Sequence, residues 1–242
     1  MTTDVDAGTL ESLLALQGED SAIRRLTHRK ETLPEAERLT EVNDRLAELN
    51  ADIEIARKQT DEIAREQNRI EGEIELVDQK IGKEEKKMFS GSVSNPKELS
   101  ALQAEVEALK RKKGGLEDQL LEVMVQRDQA SSTLAGLERE QGEADSEARQ
   151  LGATVADITG EIDAELGGHS TRREEIAATI SSDLLDLYDR LRADKGGIGA
   201  AALVGDTCEG CHTKLPAREV ERLRGEGGLQ RCDNCRRILV VT

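Results

Sequence analysis

Four cysteines are the residues of this chain whose types and spacing could do chemistry. Cys208 and Cys211 stand in "DTCEGCHTKL", and Cys232 and Cys235 stand in "RCDNCRRILVV", so the spacing is C-x2-C-x20-C-x2-C. Each pair places two sulfurs on one tight turn, and two such turns complete a tetrahedron around Zn2+. The spacing therefore predicts one structural zinc ion held by four thiolates.

The sequence supports other roles for these cysteines less strongly than structural zinc, and some of these alternatives remain open. Iron could occupy the same four thiolates, since ligand type alone does not exclude it. A thioredoxin-like redox pair needs a single C-x-x-C within a βαβ pattern, and the sequence has neither. A catalytic zinc ion needs a free coordination position for water, and four cysteine ligands leave none. His212 directly follows Cys211 and is the alternative ligand.

The rest of the chain has the composition of long packed helices. Its 242 residues include one Phe, one Tyr and no Trp, while 35% are charged. A core without aromatic bulk must be built from Leu, Ile, Val and Ala, as in coiled coils. The net charge of −16 should repel nucleic acid, except at residues 80–113, where nine Lys and Arg face five Glu.

Two apolar runs with coiled-coil spacing occupy the middle of the chain. Reading from Leu39 to Ile81 in steps of three and four, eleven of thirteen positions are apolar. A second run extends from Leu99 to Ile162, interrupted only at Lys113, Arg127 and Gln141. A 3.5-residue repeat sustained over several heptads predicts a coiled-coil seam.

The segment "MFSGSVSNPKEL" separates the two runs. Gly91 can end the first helix, and Asn95 can cap the second, with Pro96 at its first position and Glu98 three residues after the cap. This pattern predicts an antiparallel hairpin that turns near 89–96; the alternative is a parallel dimer of long helices. Further helix breaks, either kinks or hinges, are expected at 32–34, at Gly167 and Gly168, and at 181–183.

The Gly-rich segment "DKGGIGAAALVGD" marks a domain boundary. Beyond it, "AALVGD" and "RILVV" are strand-like, and "LPAREVERLRG" reads as one short helix. We therefore predict a mainly α protein with two domains. Residues 1–195 form a long, kinked, antiparallel coiled-coil helical hairpin, and residues 196–242 form a small C-terminal β zinc ribbon.

The motifs of common enzyme classes are absent from the sequence. It contains no G-x-x-x-x-G-K-[ST], no H-E-x-x-H and no G-x-S-x-G, and its carboxylates fall on helix faces that are normally solvated. We therefore expect a protein that is not an enzyme. No basic leader precedes an apolar run, and no apolar run is long enough to span a bilayer, so we expect a cytoplasmic protein without membrane contact. We expect this protein to be a monomer or a weak dimer.

Five stretches resemble the bacterial coiled-coil proteins described as C4-type zinc-ribbon domain proteins. They are "LLALQGED" at 13–20, "FSGSVSNPKELSALQAEVEALKRKKGGLEDQLLEVM" at 89–124, "LLDLYDRLR" at 184–192, "CEGCHTKLP" and "CDNCRRIL". The resemblance covers the chain from end to end. It implies a helical hairpin with a ribbon at its open end, and an adaptor or chaperone role. In some bacteria that role serves an alternative sigma factor, secretion or flagellar components, or an mRNA.

Two functional hypotheses follow. The first is an adaptor that binds a protein partner through the ribbon or the hairpin turn, where Lys86, Lys87, Phe89 and Lys97 are candidate contacts. The alternative is RNA or DNA binding through cations of the ribbon, because Arg suits phosphate contacts. These cations are Lys214, Arg218, Arg222, Arg224, Arg231, Arg236 and Arg237.

Overall fold

The computed structural model of the protein describes residues 5–241. Within that range the helices are α1 (Ala7–Glu31), α2 (Pro34–Phe89), α3 (Pro96–Ala177), α4 (Ser182–Asp194) and α5 (Ala217–Gly225). The strands are β1 (Ala200–Val204), β2 (Thr207–Cys208), β3 (Thr213–Lys214), β4 (Gln230–Arg231) and β5 (Ile238–Val241). The predicted mainly α fold with a small C-terminal strand region is confirmed. No helix in the described range combines the length and the apolar character of a membrane span.

The chain divides into two compact units. Residues 38–150 form one of them, called here the hairpin unit, and residues 5–37 together with 151–241 form the other, called the base unit. The ribbon therefore shares a compact unit with α1, α4 and the end of α3. The boundary predicted between residues 195 and 196 concerns independent folding and stays a prediction. Residues 1–4 and 242, which the predicted domains include, lie outside the described residues.

The hairpin unit consists of α2 and α3 lying antiparallel, as the two apolar runs predict. Its buried cluster joins Ile70, Val77 and Ile81 of α2 to Val106 and Leu116 of α3. At about 1.5 Å per residue, the 56-residue α2 is about 84 Å long. The predicted intramolecular hairpin is confirmed, and each arm finds its seam partner within the same chain.

The turn uses the residues that the sequence assigns to it. α2 ends at Phe89, and Gly91 adopts a positive φ of 71°, which a residue without a side chain tolerates. Asn95 precedes Pro96, the first residue of α3, and its Oδ1 accepts a hydrogen bond from the Lys97 amide at 3.0 Å. The cap and Pro96 together fix where the second arm begins.

Polar residues that interrupt the apolar seam find partners across the hairpin. Lys113 Nζ lies 2.7 Å from an Asp78 carboxylate oxygen, and Arg127 Nη1 donates to Gln67 Oε1 at 3.2 Å. A third pair joins Gln141 Nε2 to Asn50 Oδ1 at 2.6 Å. Polar pairs at seam positions cost stability but favour one register over its neighbours.

α3 continues through Gly167 and Gly168 to Ala177, so an end of the helix at these glycines is wrong, while a kink there stays a prediction. A glycine in a helix interior costs only about 1 kcal/mol, which neighbouring contacts can offset. Here His169 and Arg172, one turn apart, both contact the Glu19 carboxylate of α1. The break at 32–34 and the start of α4 after Ser181 are confirmed.

The base unit is built around the ribbon's five-stranded sheet, whose order is β3-β2-β1-β5-β4. β1 pairs with β5 in parallel, with Ala200 level with Ile238. Because successive strand residues point to opposite faces, Ala200, Ile238 and Val240 pack with α1 and α4, while Ala201 and Leu239 pack with α5 and the cysteines. The sheet thus joins the helices to the four thiols.

Candidate metal centre

The four cysteine sulfurs converge on one point of the ribbon. All four lie within 4.8 Å of one another, with Cys208 Sγ 4.0 Å from Cys235 Sγ and Cys211 Sγ 3.9 Å from Cys232 Sγ. A tetrahedron with Zn–S bonds of about 2.3 Å has edges of about 3.8 Å. A disulfide would need about 2.05 Å. The sulfur spacing therefore fits a four-coordinate zinc ion and excludes disulfides.

The two C-x-x-C turns have the same backbone geometry. The His212 amide donates to the Cys208 carbonyl, and the Arg236 amide donates to the Cys232 carbonyl, both at 2.8 Å. His212 and Arg236, each directly after the second cysteine of its pair, adopt positive φ values of 54° and 64°. Such conformations are uncommon outside glycine and persist where the surroundings impose them. The equivalent turns place two sulfurs each toward the same point.

Burial opposes ionisation of two of the four thiols unless a cation is bound. Burial raises the pKa of Cys208 to about 12 and also raises the pKa of Cys232. Burial acts the same way on Cys211, but hydrogen bonds from Thr213 and Asn234 outweigh it and lower the pKa of that thiol to about 6. Buried thiolates ionise together only when a cation offsets their charge, and a divalent metal ion supplies that charge.

Asn234 is a residue of the centre that the sequence analysis missed. Its Nδ2 lies 2.9 Å from Thr213 Oγ1 and 3.6 Å from Cys211 Sγ, so it connects the second C-x-x-C turn to the first. An amide between the cysteines of "CDNC" is the signal that could have identified it. His212, the alternative ligand, is exposed and lies outside the sulfur cluster within residues 5–241.

The base unit fixes the start of the ribbon through the buried side chain of Gln17 on α1. Gln17 Oε1 accepts hydrogen bonds from the Gly199 amide at 2.7 Å and the Ala200 amide at 3.3 Å, and Tyr188 Oη lies 3.2 Å from it. Gly199 also has no room for a side chain, because an added Cβ would lie 2.6 Å from the Tyr188 carbonyl oxygen. The entry into β1 is thereby fixed against α1 and α4.

A buried carboxylate, Asp20, extends this network. It is 4% exposed and accepts hydrogen bonds from Tyr188 Oη at 2.7 Å, Arg173 Nε at 2.8 Å and Arg192 Nη1 at 2.5 Å. Burial raises the pKa of Tyr188, so its hydroxyl remains a donor. Asp20 therefore holds the ends of α3 and α4 on α1, directly behind the ribbon's first strand.

The seven candidate cations of the ribbon differ in whether their side chains have partners within the protein. Arg237 donates to the carbonyls of Ile198 and Lys195 at 2.9 and 2.7 Å, and is therefore used inside the fold. Arg224 donates to the Gly205 carbonyl, and Arg222 contacts the carboxylates of Glu219 and Glu226. Lys214 and Arg236 have weaker ion pairs, at 3.7 Å to Asp206 and 3.9 Å to Asp233. In the described part of the chain, the side chains of Arg218 and Arg231 have no hydrogen-bond or ion-pair partner.

The four candidate contacts near the turn are all exposed. Phe89 is 83% exposed and adds almost nothing to the core. Lys87 Nζ contacts the Glu84 carboxylate at 2.8 Å, whereas the side chains of Lys86 and Lys97 have no such partner within residues 5–241. The turn is therefore a free surface that carries an aromatic ring and cations.

Two family models match the chain. The CT398-like coiled coil hairpin domain matches residues 16–196, and the C4-type zinc ribbon domain matches residues 207–239. A protein of Mycobacterium tuberculosis is 30% identical over 248 residues, covering 95% of this chain and 94% of its own length. A Mycobacterium leprae protein is 29% identical over 212 residues, covering 83% of this chain and 86% of its own length.

Solved structures share the fold. A protein from Mycobacterium smegmatis superposes with a TM-score of 0.84 and 26% identity, covering 99% of this chain and all of its own. CT398 from Chlamydia trachomatis superposes with a TM-score of 0.70 and 21% identity, covering 97% of this chain and 98% of its own. The similarity therefore extends over both the helical and the ribbon portions.

Proposed function

Since this chain belongs to the family of CT398-like coiled coil hairpin domain proteins and carries a C4-type zinc ribbon, we propose that it is a non-enzymatic, zinc-binding adaptor. In this proposal one structural Zn2+ is held by Cys208, Cys211, Cys232 and Cys235, and the protein binds a macromolecular partner through surfaces of the ribbon or the hairpin. The thiols fit a reducing cytoplasm, where clustered cysteines bind metals more often than they form disulfides.

The convergence of four sulfurs within 4.8 Å is the observation that carries this proposal. Four thiolates fill a tetrahedral zinc and leave no position for water or substrate. When bound, the ion supplies a cross-link between the two C-x-x-C turns. The residues around it shape a surface: His212 and Arg236 are exposed at the two turns, and Asn234 joins them.

A protein partner has more support than nucleic acid at the ribbon. Single-stranded nucleic acid is usually bound by free cations together with aromatic side chains that stack on bases. The ribbon sequence contains no Phe, Tyr or Trp, and only Arg218 and Arg231 of its seven candidate cations have side chains free of partners in the described structure. Its arginines are balanced by carboxylates such as Glu219 and Glu226, which would oppose a phosphate backbone.

Affinity purification with and without nuclease tests the proposal. We expect the tagged full-length protein to retain a protein partner in near-equal amount after nuclease treatment, and that purified partner to bind the zinc-loaded protein again. A variant with Arg218→Ala and Arg231→Ala serves as the ribbon-surface comparison. If the unchanged protein retains nucleic acid but no protein partner, and this variant loses the nucleic acid, the result would support the competing hypothesis and contradict the adaptor role.

A further inference from the structure

The hairpin unit has a basic end and an acidic remainder. Residues 80–113, around the turn, carry nine Lys and Arg against five Glu, a net charge of +4. The rest of the unit, residues 38–79 and 114–150, carries nine Lys and Arg against 21 Asp and Glu, a net charge of −12. The positive charge is thus confined to the turn end of an acidic coiled coil.

Ion pairs across the hairpin elsewhere join opposite charges. Arg38 pairs with Glu147 at 3.0 Å, Arg57 with Glu138 at 2.9 Å, and Arg45 with Glu140 at 3.2 Å. Flanking positions of a coiled coil commonly carry such complementary pairs. At the turn end, however, the side chains of Lys80, Lys83 and Lys112 have no hydrogen bond or ion pair to any residue in the described part of the chain.

These lysines share one side of the hairpin. Leu76, Lys80, Lys83 and Lys87 are spaced by four, three and four residues, which places them along one face of α2. Lys110 Nζ lies 2.7 Å from a Glu85 carboxylate oxygen, and Lys113 Nζ lies 2.7 Å from an Asp78 carboxylate oxygen. Residues 110–113 of α3 therefore lie level with residues 78–85 of α2.

The same register makes Lys80 level with Lys112. Lys80 directly precedes the seam residue Ile81, and Lys112 directly precedes the seam position Lys113. The positions directly before the seam are equivalent in the two antiparallel helices and flank the same side of it. Two like charges therefore face the same side where the unit elsewhere places opposite charges, and such pairs are destabilising. We call Leu76, Lys80, Lys83, Lys87 and Lys112 the lysine flank.

An exposed apolar side chain belongs to the lysine flank. Leu76 is 60% exposed and lies one turn from Lys80 on the same face of α2. Phe89 lies two residues beyond Lys87 and so on a different face of the helix. The flank therefore offers three lysines without an ion-pair partner in the described structure, Lys80, Lys83 and Lys112, beside an aliphatic side chain. Such a surface complements an acidic segment that carries an apolar side chain.

We propose that the lysine flank docks an acidic protein segment whose apolar side chain packs on Leu76. This inference deepens the adaptor function proposed above and rests on it. From Leu76 to Lys87 the flank spans eleven residues of helix, or about 17 Å, a length that five or six extended residues can follow.

Nucleic acid fits the lysine flank less well. Its charge repeats without interruption, about every 3.4 Å along a strand, so a strand longer than the flank would run onto the acidic remainder of the hairpin unit. The flank contains no aromatic side chain on which a base could stack. Lysine is also a point charge without the bidentate geometry that favours arginine at phosphates.

Two charge-matched variants of the full-length protein test the proposal. The flank variant combines Lys80→Glu, Lys83→Glu and Lys112→Glu, and the control combines Lys58→Glu, Arg65→Glu and Arg111→Glu. The control changes the net charge of the hairpin unit by the same amount, at exposed positions outside the lysine flank and outside the candidate contacts near the turn. None of its three side chains has a hydrogen bond or ion pair in the described structure, so neither variant removes such a contact.

The probe is a labelled eight-residue peptide, Glu-Glu-Leu-Glu-Glu-Leu-Glu-Glu, followed by fluorescence anisotropy. We expect the flank variant to bind about tenfold more weakly than the unchanged protein, and the control variant to lose less than about threefold. Replacing Leu by Ser in the peptide should also weaken binding, and added salt should weaken it further. Circular dichroism should show equal helix content in all three proteins.

Several outcomes would overturn the proposal. The first is no binding of the peptide to the unchanged protein, and the second is an equal loss of peptide affinity in the two variants. The third is a flank variant that loses binding of a single-stranded oligouridine probe but keeps binding of the peptide. The last outcome would assign the flank to nucleic acid. If the flank variant retains the partner found by affinity purification, this inference fails while the adaptor function stands. If no protein partner is retained by the unchanged chain, the adaptor function itself fails.

Discussion

Replacement of Cys232 by Ser is expected to abolish the proposed zinc binding and unfold the ribbon. Cys232 is fully buried and supplies one of four sulfurs that meet within 4.8 Å. Structural zinc contributes on the order of 10 kcal/mol to the folding of small zinc domains, more than the ribbon's small core could replace. Zinc content should fall from one per chain to near zero.

Loss of the ribbon should spread to α1 and α4 but not to the hairpin unit. Ala200, Ile238 and Val240 cover Leu13 and Leu16 of α1 and Leu184 and Tyr188 of α4, so these helices lose an apolar contact. The hairpin unit has its own buried cluster, from Ile70 to Leu116, without any ribbon residue. Circular dichroism should therefore show most helix retained, while hydrogen exchange accelerates in α1, α4 and residues 200–241.

The neighbouring substitution His212→Ala is the matched control for this experiment. His212 directly follows a ligand but lies exposed outside the sulfur cluster, so the variant should keep one zinc per chain and the exchange protection of the ribbon. Full zinc content in the Cys232→Ser protein, or loss of zinc in the His212→Ala protein, would refute the four-cysteine assignment. Melting of all helices in Cys232→Ser would count against a separately folding ribbon.

Substitution of Asp20 by Ala is expected to lower the free energy of unfolding of the base unit by about 2–4 kcal/mol. The carboxylate accepts hydrogen bonds from Tyr188, Arg173 and Arg192, and its removal takes away the nearest acceptor of each. Both arginines keep the Asp189 carboxylate, at 3.2 and 3.3 Å, which limits the loss. Breaking a fully buried ion pair costs more, but both arginines are partly exposed, and solvent screening reduces the loss.

The control for Asp20 is Asp163, an acidic residue of the same unit. Asp163 pairs with Lys30 at 2.6 Å, and both side chains are largely exposed. Exposed ion pairs contribute less than about 1 kcal/mol, so Asp163→Ala should hardly change the denaturation midpoint. Urea titrations followed by hydrogen exchange within α1 and α4 separate the two cases. Equal effects of the two substitutions would show that the Asp20 network does not hold α1 to α4.

Local signals account for the parts of the fold that the sequence predicts well. The heptad runs require only a repeating apolar seam, and the cap at Asn95 with Pro96 after it acts within one helical turn. The four cysteines are equally local, because each C-x-x-C brings its own two sulfurs together. These features were predicted because neighbouring residues determine them.

The sequence does not reveal contacts between distant segments with the same clarity. Asp20 and Gln17 stand among polar residues of a helix and look solvated, yet both are buried against α4 and the start of the ribbon. Their burial depends on where Tyr188 lies, about 170 residues away in the chain. The stretches "LLALQGED" and "LLDLYDRLR", which carry part of the family resemblance, supply three of these side chains.

Arg237 illustrates the same limit for the surface. A cation beside a C-x-x-C pair suggests a partner contact, but the structure uses it to satisfy the carbonyls of Lys195 and Ile198 in the Gly-rich segment. Gly167 and Gly168 show the converse. Two adjacent glycines suggest that the helix ends, yet α3 continues through them and contacts α1 through His169. Tertiary contacts decide both cases.

X-ray absorption spectroscopy at the zinc edge of the purified protein tests the central claim most directly. A closed structural centre predicts four sulfur ligands at about 2.3 Å and no nitrogen or oxygen ligand. A first shell of three sulfurs with one lighter atom, from water or His212, or a metal content dominated by iron, would contradict the closed zinc site on which the adaptor function rests.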